Sequence, residues 1–296
     1  MRGGLLVRFL AALLLAWGTL AAPFAPGARA DEPVPQALRV YHIGNSVTDT
    51  LRYPALREAA KAKGKSYVFG RHMIPGAPLA WIHAHPDSGF KEEPYGYYPK
   101  ALSGYEWDVL TLQPFDRHLS GDDGDRAMAK KFIDLALGKS QNLRVYVYSR
   151  WPRRAKDGSL DFAKRWGAAY TGKWDGTNET RDYFERVVAA LRQDYPKTSI
   201  HLVPVGDVLL ELDRRMQAGK VPGYDSITKL YTDGIHFNDA GAYVVGCTFY
   251  ATLFRDDPKG FPGAPYQVTD PAFAAAVQDA VWQVVRTHPL AGIARP

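Results

Sequence analysis

The sequence predicts an α/β protein, a parallel sheet of about five strands covered by helices on both faces. Two observations lead there. Short runs rich in Val, Leu, Ile and Tyr alternate along the chain with longer stretches of helical period. Strands separated by helices pair in parallel, because the crossover returns the chain to the same end of the sheet. Several of these runs are also apolar on both sides, as strands buried under helices on both faces are.

Residues 38–43 form the first expected strand, and 66–70, 107–112, 143–148 and 199–205 the next four. Helical period covers 53–63, closed by Gly64, and 125–137, closed by Gly138. It returns over 180–193, 208–218, 240–254 and 271–286. Residues 71–105 and 149–178 read as long irregular segments, rich in Gly, Pro, His and aromatics in the first and in Trp, Arg, Lys and Gly in the second. Segments of that length inside a domain are usually functional or disordered. In such sheets the ligand site lies beyond the carboxyl ends of the strands, so the chemistry is expected in the segments that leave them.

The start of the chain is set apart from the fold. Arg2 and Arg8 precede an apolar run over 10–22, and Ala28-Arg29-Ala30 is followed by Asp31-Glu32. This is the layout of a secretory signal peptide, residues 1–30. An uncleaved anchor is the other reading, but a bilayer span needs about 20 apolar residues. The expectation is a secreted or periplasmic protein with no stable membrane insertion after cleavage, and one domain over 31–296. Arg2, Arg8 and Arg29 account for half of the formal charge of +6. The modest remainder argues against a nucleic-acid partner, which would need a concentrated basic face. Cys247 is the single cysteine, which excludes an intramolecular disulfide and a zinc site built on Cys pairs.

Gly44-Asn45-Ser46-Val47-Thr48 follows the first strand directly. A serine there is exposed at the mouth of a site, but its hydroxyl needs an adjacent base to act as a nucleophile; alone it is a turn or capping residue. Near the other end stands Thr232-Asp233-Gly234-Ile235-His236-Phe237-Asn238, just before an apolar helix. An Asp and a His three apart converge from one tight turn. The imidazole can then take the serine proton while the carboxylate orients the ring. The same segment also reads as a capped helix start, and both readings hold together.

Gly44-Asn45-Ser46 resembles the first block of the SGNH/GDSL hydrolases, and Asp233-Gly-Ile-His236 resembles their last. The resemblance implies a flavodoxin-like three-layer α/β/α sandwich, with Ser46 as nucleophile, His236 as base and Asp233 as its orienting acid. It also implies an oxyanion hole from the Ser46 amide, a glycine amide and an asparagine side chain. Gly76, after the second strand, matches the glycine. Gln113 stands after the third strand, where the family has its asparagine, and Asn45 stands where it has aspartate before the serine. These departures mark a divergent branch.

Competing motifs are poor. There is no G-x-S-x-G, and Ser226-Ile-Thr-Lys229 lacks the companions of the penicillin-binding signature. No H-E-x-x-H or P-loop occurs. His72, His83, His85 and His118 read as loop histidines, solvated or against substrate, rather than as metal ligands, and no cofactor is expected. Trp151, Trp166 and Trp174 lie among Arg150, Arg153, Arg154, Lys164 and Lys173. Trp151 and Arg153 are therefore candidates for stacking on sugar rings and pairing with uronate carboxylates; a packed basic surface excursion is the alternative. The function expected is an exported esterase, acting on a small ester or on O-acetyl groups of a polysaccharide. A lipid or short-chain ester hydrolase, an acyltransferase and a catalytically silent carbohydrate-binding protein remain the rivals.

Overall fold

The apolar run after residue 36 becomes β1 (Ala37–Gly44), buried on both faces from Val40 onward except at its start. It lies inside the sheet, between β2 (Ser66–Met73) and β4 (Val109–Leu112). The computed structural model describes Met1 and residues 34–293. The signal-peptide reading therefore falls, Met1 apart, outside the described residues.

Between these strands come α1 (Ser46–Asp49), α2 (Tyr53–Ala62), α3 (Leu79–Ala84), the two-residue β3 (Phe90–Lys91) and α4 (Tyr98–Gly104). After β4 follow α5 (Asp125–Leu137), β5 (Arg144–Tyr148), α6 (Phe162–Trp166), α7 (Arg181–Asp194), β6 (Ser199–Val203) and α8 (Val205–Gln217). The chain ends in α9 (Asp239–Phe254) and α10 (Pro271–Val285). The strand order is β3-β2-β1-β4-β5-β6. Five strands are parallel, as expected; β3 adds an antiparallel edge through His72↔Lys91 and Met73↔Phe90.

β1 goes first to β2 on one side and the chain later crosses to β4 on the other. The segments leaving β1 and β4 therefore diverge, and the crevice between them is the usual ligand position of an open α/β sheet. Gly44 and Gln113 sit at that switch point.

The long irregular segments hold more structure than their pattern suggests. β2 runs on to Met73 through Gly70, which lies against the Tyr41 ring; a Cβ at Gly70 would meet that ring at 2.8 Å. α3, α4 and α6 are too short for their period to show, and tertiary packing holds them. Leu79 and Ile82 are buried, and Tyr98 meets Phe132 edge-on at 4.9 Å.

α9 is apolar all round, and all but its first residue are buried, as befits a helix covered on every side. Among the described residues no helix is long and apolar enough to cross a membrane. Cys247 lies on α9, fully buried, and burial pushes its thiol well up, which removes it as a nucleophile. Gly246, beside it, lets the Tyr266 ring lie on the helix while the Tyr266 hydroxyl donates to the Leu51 carbonyl at 3.1 Å. In an open helix Gly→Ala gains about 1 kcal/mol. Here the added methyl overlaps Tyr266, so Gly246→Ala is expected to destabilise by about 1–3 kcal/mol instead. Thermal unfolding reads the sign directly.

Candidate active site

Ser46 is placed by what surrounds Gly44 and Asn45. A Cβ at Gly44 would overlap Thr48 and approach Gln113 Cβ at 2.9 Å, so only glycine lets the strand turn here. Asn45 is fully buried and caps α1: its Oδ1 accepts from the Val47 amide at 3.0 Å. Its Nδ2 donates to the Ala77 carbonyl at 3.2 Å, tying the serine turn to the segment after β2. A neutral amide both accepts and donates, which the family's aspartate would not do when ionised.

The second half comes from the turn before α9. Tyr231 and Phe237 pair across it, and the Thr232 amide donates to the His236 carbonyl at 2.9 Å. Asn238 caps α9 by accepting from the Gly241 amide at 3.1 Å. Inside the turn Asp233 Oδ1 accepts from the amides of Ile235 and His236, at 2.7 and 2.8 Å. Its Oδ2 lies 2.7 Å from His236 Nδ1, and His236 Nε2 lies 2.9 Å from Ser46 Oγ. The network fixes the tautomer: Nδ1–H donates to Asp233, leaving Nε2 to accept from the serine hydroxyl.

Burial pushes the Asp233 carboxyl up, but the two amides and the imidazole outweigh it and draw it down to about 2. The stabilisation of this turn by a charged Asp233 is therefore present above the ordinary carboxylate range. It is lost only as the pH falls toward about 2.

Trp151 is not a substrate contact; this corrects the sequence reading. The side chain is fully buried. Its indole N–H donates to the Ile235 carbonyl at 2.8 Å, and the ring lies flat on Phe237, 3.9 Å away and 9° from parallel. Around it the Arg154 amide donates to the Gly234 carbonyl at 2.9 Å, and the Tyr231 hydroxyl to the Pro152 carbonyl at 2.9 Å. The segment after β5 thus clamps the Asp233–His236 turn from behind.

Arg153 is half-exposed and paired with acids. Its guanidinium bonds Asp116, at 2.7 Å from Nη2, and Glu179. Arg150, wholly buried, joins the same two acids at 2.7 and 3.0 Å and covers the Phe115 ring. Burial raises the Asp116 carboxyl, and Arg153 with Arg150 outweighs it and holds it below its usual range. Both acids are thus its partners, while its side chain stays half-exposed. Asp116 and Glu179 were missed because they lie 37 and 26 residues away, beyond any local pattern. Trp166 is also buried, its indole donating to Asp207 at 3.1 Å; Trp174 alone of the three is exposed. His72, expected on a loop, is a buried residue of β2 bonded to the Ser88 carbonyl at 2.8 Å.

The remaining candidates do not bond the serine. Gly76 has φ +67, and a Cβ there would meet nothing within 4 Å. Among the described residues the amides of Ser46 and Gly76 have no acceptor. Gln113 lies against Gly44, but its Nε2 donates to the carbonyl of its own neighbour Pro114 at 2.9 Å. Its buried Oε1 has no partner among the described residues.

No family model matches the chain, and no curated protein matches it in sequence. Among solved structures it is similar to a DUF4886 family protein from Bacteroides uniformis, at 18% identity over 85% of this chain and 95% of that one, with a TM-score of 0.59. Looser likenesses, with TM-scores of 0.43 and 0.42, are to a Clostridium thermocellum family 3 carbohydrate esterase and a lipolytic G-D-S-L family protein from Veillonella parvula. They are 12% identical to this chain, each covering 74% of it, over 98% and 99% of their own lengths. The likeness at a TM-score of 0.59 shows the fold, an α/β sandwich around a mostly parallel sheet, as the sequence predicts.

Trp151→Phe keeps the stack on Phe237 and removes the bond to Ile235. It is expected to lower kcat for p-nitrophenyl acetate by about tenfold to a hundredfold, since a displaced catalytic group costs that much. KM is expected to hold within about twofold, because the substrate does not touch the indole. A fall in thermal stability with unchanged kcat would leave Trp151 a purely structural residue.

Proposed function

We propose that this chain is an exported serine esterase that cleaves O-acyl groups, acetyl groups on a polysaccharide being the preferred substrate. The observation that carries the reaction is the line from Ser46 Oγ through His236 Nε2, 2.9 Å away, to Asp233 Oδ2, 2.7 Å beyond Nδ1. A nucleophile, a base and an orienting acid within hydrogen-bond reach of each other are what acyl transfer requires.

Ser46 Oγ attacks the ester carbonyl as its proton passes to His236 Nε2. The charge that develops on the carbonyl oxygen is met by the Ser46 and Gly76 amides, which have no acceptor among the described residues. Gln113 is the proposed third donor: rotation of its side chain away from Pro114 frees both amide hydrogens, and the unpartnered Oε1 offers little resistance to that turn. His236 then protonates the leaving alcohol oxygen as its bond to carbon breaks. Water, deprotonated by His236, attacks the acyl-enzyme; collapse returns the proton to Ser46 and releases the carboxylic acid. Asp233 stays ionised throughout, its carboxyl held at about 2, and stabilises the imidazolium formed in each half-reaction.

Export of the protein, read from residues 1–30, places such an enzyme where polymeric esters occur. The expected outcome with a fluorophosphonate probe is covalent labelling of the wild-type protein at Ser46. Ser46→Ala should lose both labelling and p-nitrophenyl acetate turnover while keeping its unfolding midpoint. Full labelling of the variant would end this reading.

A further inference from the structure

Trp81, Phe90 and Trp174 are the exposed aromatic rings among the described residues, at 51%, 51% and 67% exposure. All of them lie at one edge of the sheet. Trp81 is on α3, in the segment that leaves β2 and is tied to the serine turn through Ala77 and Asn45. Phe90 pairs with Met73, the last residue of β2. Trp174 lies between α6 and α7, and its ring packs on His118 in the segment that leaves β4. Leaving aside Met1, the one other exposed large apolar residue, Val34, precedes β1 at the opposite edge. Single exposed apolar residues are ordinary, but here every exposed ring shares the edge that carries Ser46.

The two tryptophans are also held. Trp81 stacks on His85 at 4.0 Å and 21°, and the His85 ring is fixed by the Trp81 carbonyl at 2.8 Å. Trp174 packs on His118 at 4.1 Å, a residue of the segment leaving β4. Its neighbours are pinned by Asp175, which accepts from both Thr171 and Thr177 at 2.7 Å. A ring fixed in advance loses little freedom when something stacks on it.

We infer that Trp81 and Trp174, backed by His85 and His118, are stacking platforms on either side of Ser46 for an extended glycan chain. This deepens the esterase reading and rests on it for the role of Ser46. Across the sheet the order is β2, β1, β4, so the segment that holds Trp81 and the segment against which Trp174 packs leave strands about 10 Å apart, with the nucleophile's strand between them. That separation suits a short run of sugar rings laid across the serine, one stacked at each end. The flat apolar face of a sugar meets an indole as another ring would, while its hydroxyls need polar neighbours. Those are present: Lys173 and Asp175 flank Trp174 in sequence, and His83 and His85 follow Trp81. The mixture of signs fits a neutral or weakly charged polymer and not a phosphate backbone, which calls for a basic groove. Phe90, beside Arg71 at 5.7 Å, extends the row beyond β2.

The test reads binding in protein that lacks the nucleophile. Ser46→Ala is run on native gels containing acetylated xylan, mannan or glucomannan, alone and combined with Trp81→Ala and Trp174→Ala. Retardation of Ser46→Ala by at least one polymer is expected. It should weaken by about five- to tenfold in apparent Kd with each tryptophan removed, the scale of one lost stacking contact. Unchanged unfolding midpoints confirm that the exposed rings were not holding the fold. Absence of retardation by all three polymers, or full retardation of the triple variant, overturns the inference. So does capture by phosphatidylcholine vesicles that depends on the same two rings, which would make the edge a lipid surface. Because Ser46 is absent throughout, the outcome is independent of whether Ser46 labels with a fluorophosphonate, which tests the esterase reading alone.

Discussion

A hydrogen bond between groups 190 positions apart in the chain, Ser46 Oγ and His236 Nε2, sets the precision that the rest of the molecule must supply. Neither side chain is gripped by the other strongly enough to hold it. The serine is fixed because Gly44 lets β1 turn without a clash and Asn45 satisfies both α1 and the Ala77 carbonyl. The histidine is fixed because Asp233 bonds two backbone amides with one oxygen and the ring with the other. One carboxylate thus shapes its own turn and aims the imidazole, so the acid and the base move as a unit.

That unit still has to be located against β1, and the segment after β5 does this. Trp151, Arg154 and Pro152 make three bonds to the Tyr231–Phe237 turn, all involving backbone atoms of one partner or the other. The segment is anchored in its turn by charge. Arg150 and Arg153 reach Asp116 after β4 and Glu179 before α7, and so lock together the connections β4–α5, β5–α6 and α6–α7. Arg150 and Glu179 are both buried, and a buried ion pair contributes little net stability. Removing one partner, however, strands the other at a cost of about 3–5 kcal/mol. The network therefore penalises displacement of these segments more than it deepens the fold.

The parts of the structure legible in the sequence are those whose physics is local. The five parallel strands show as apolar runs because each is buried on both faces, and the Asp233–His236 turn shows because acid and base share one bend. The short elements α3, α4, α6 and β3 are not legible, since they hold by contacts such as Tyr98 on Phe132 and not by their own period. Trp151 and Arg153 mark the limit most clearly. Beside several cations a tryptophan reads as an exposed platform, and nothing nearby in sequence reveals that Ile235, Phe237, Asp116 and Glu179 will cover it and its neighbours.

The same comparison shows why the residue type alone misled and the position did not. The residues singled out in the sequence do stand beyond the carboxyl ends of strands: Ser46 after β1, Gly76 after β2, Gln113 after β4 and Trp151 after β5. What differed was the direction in which each side chain is used. At a strand end the first residues beyond the sheet are still roofed by neighbouring segments, so Trp151, three residues past β5, becomes structural support. Trp174, between α6 and α7, has no such roof and stands exposed. Cover by a neighbouring element, more than composition, separates the two: Trp166 and Glu179 stand on either side of Trp174 in the chain and are buried.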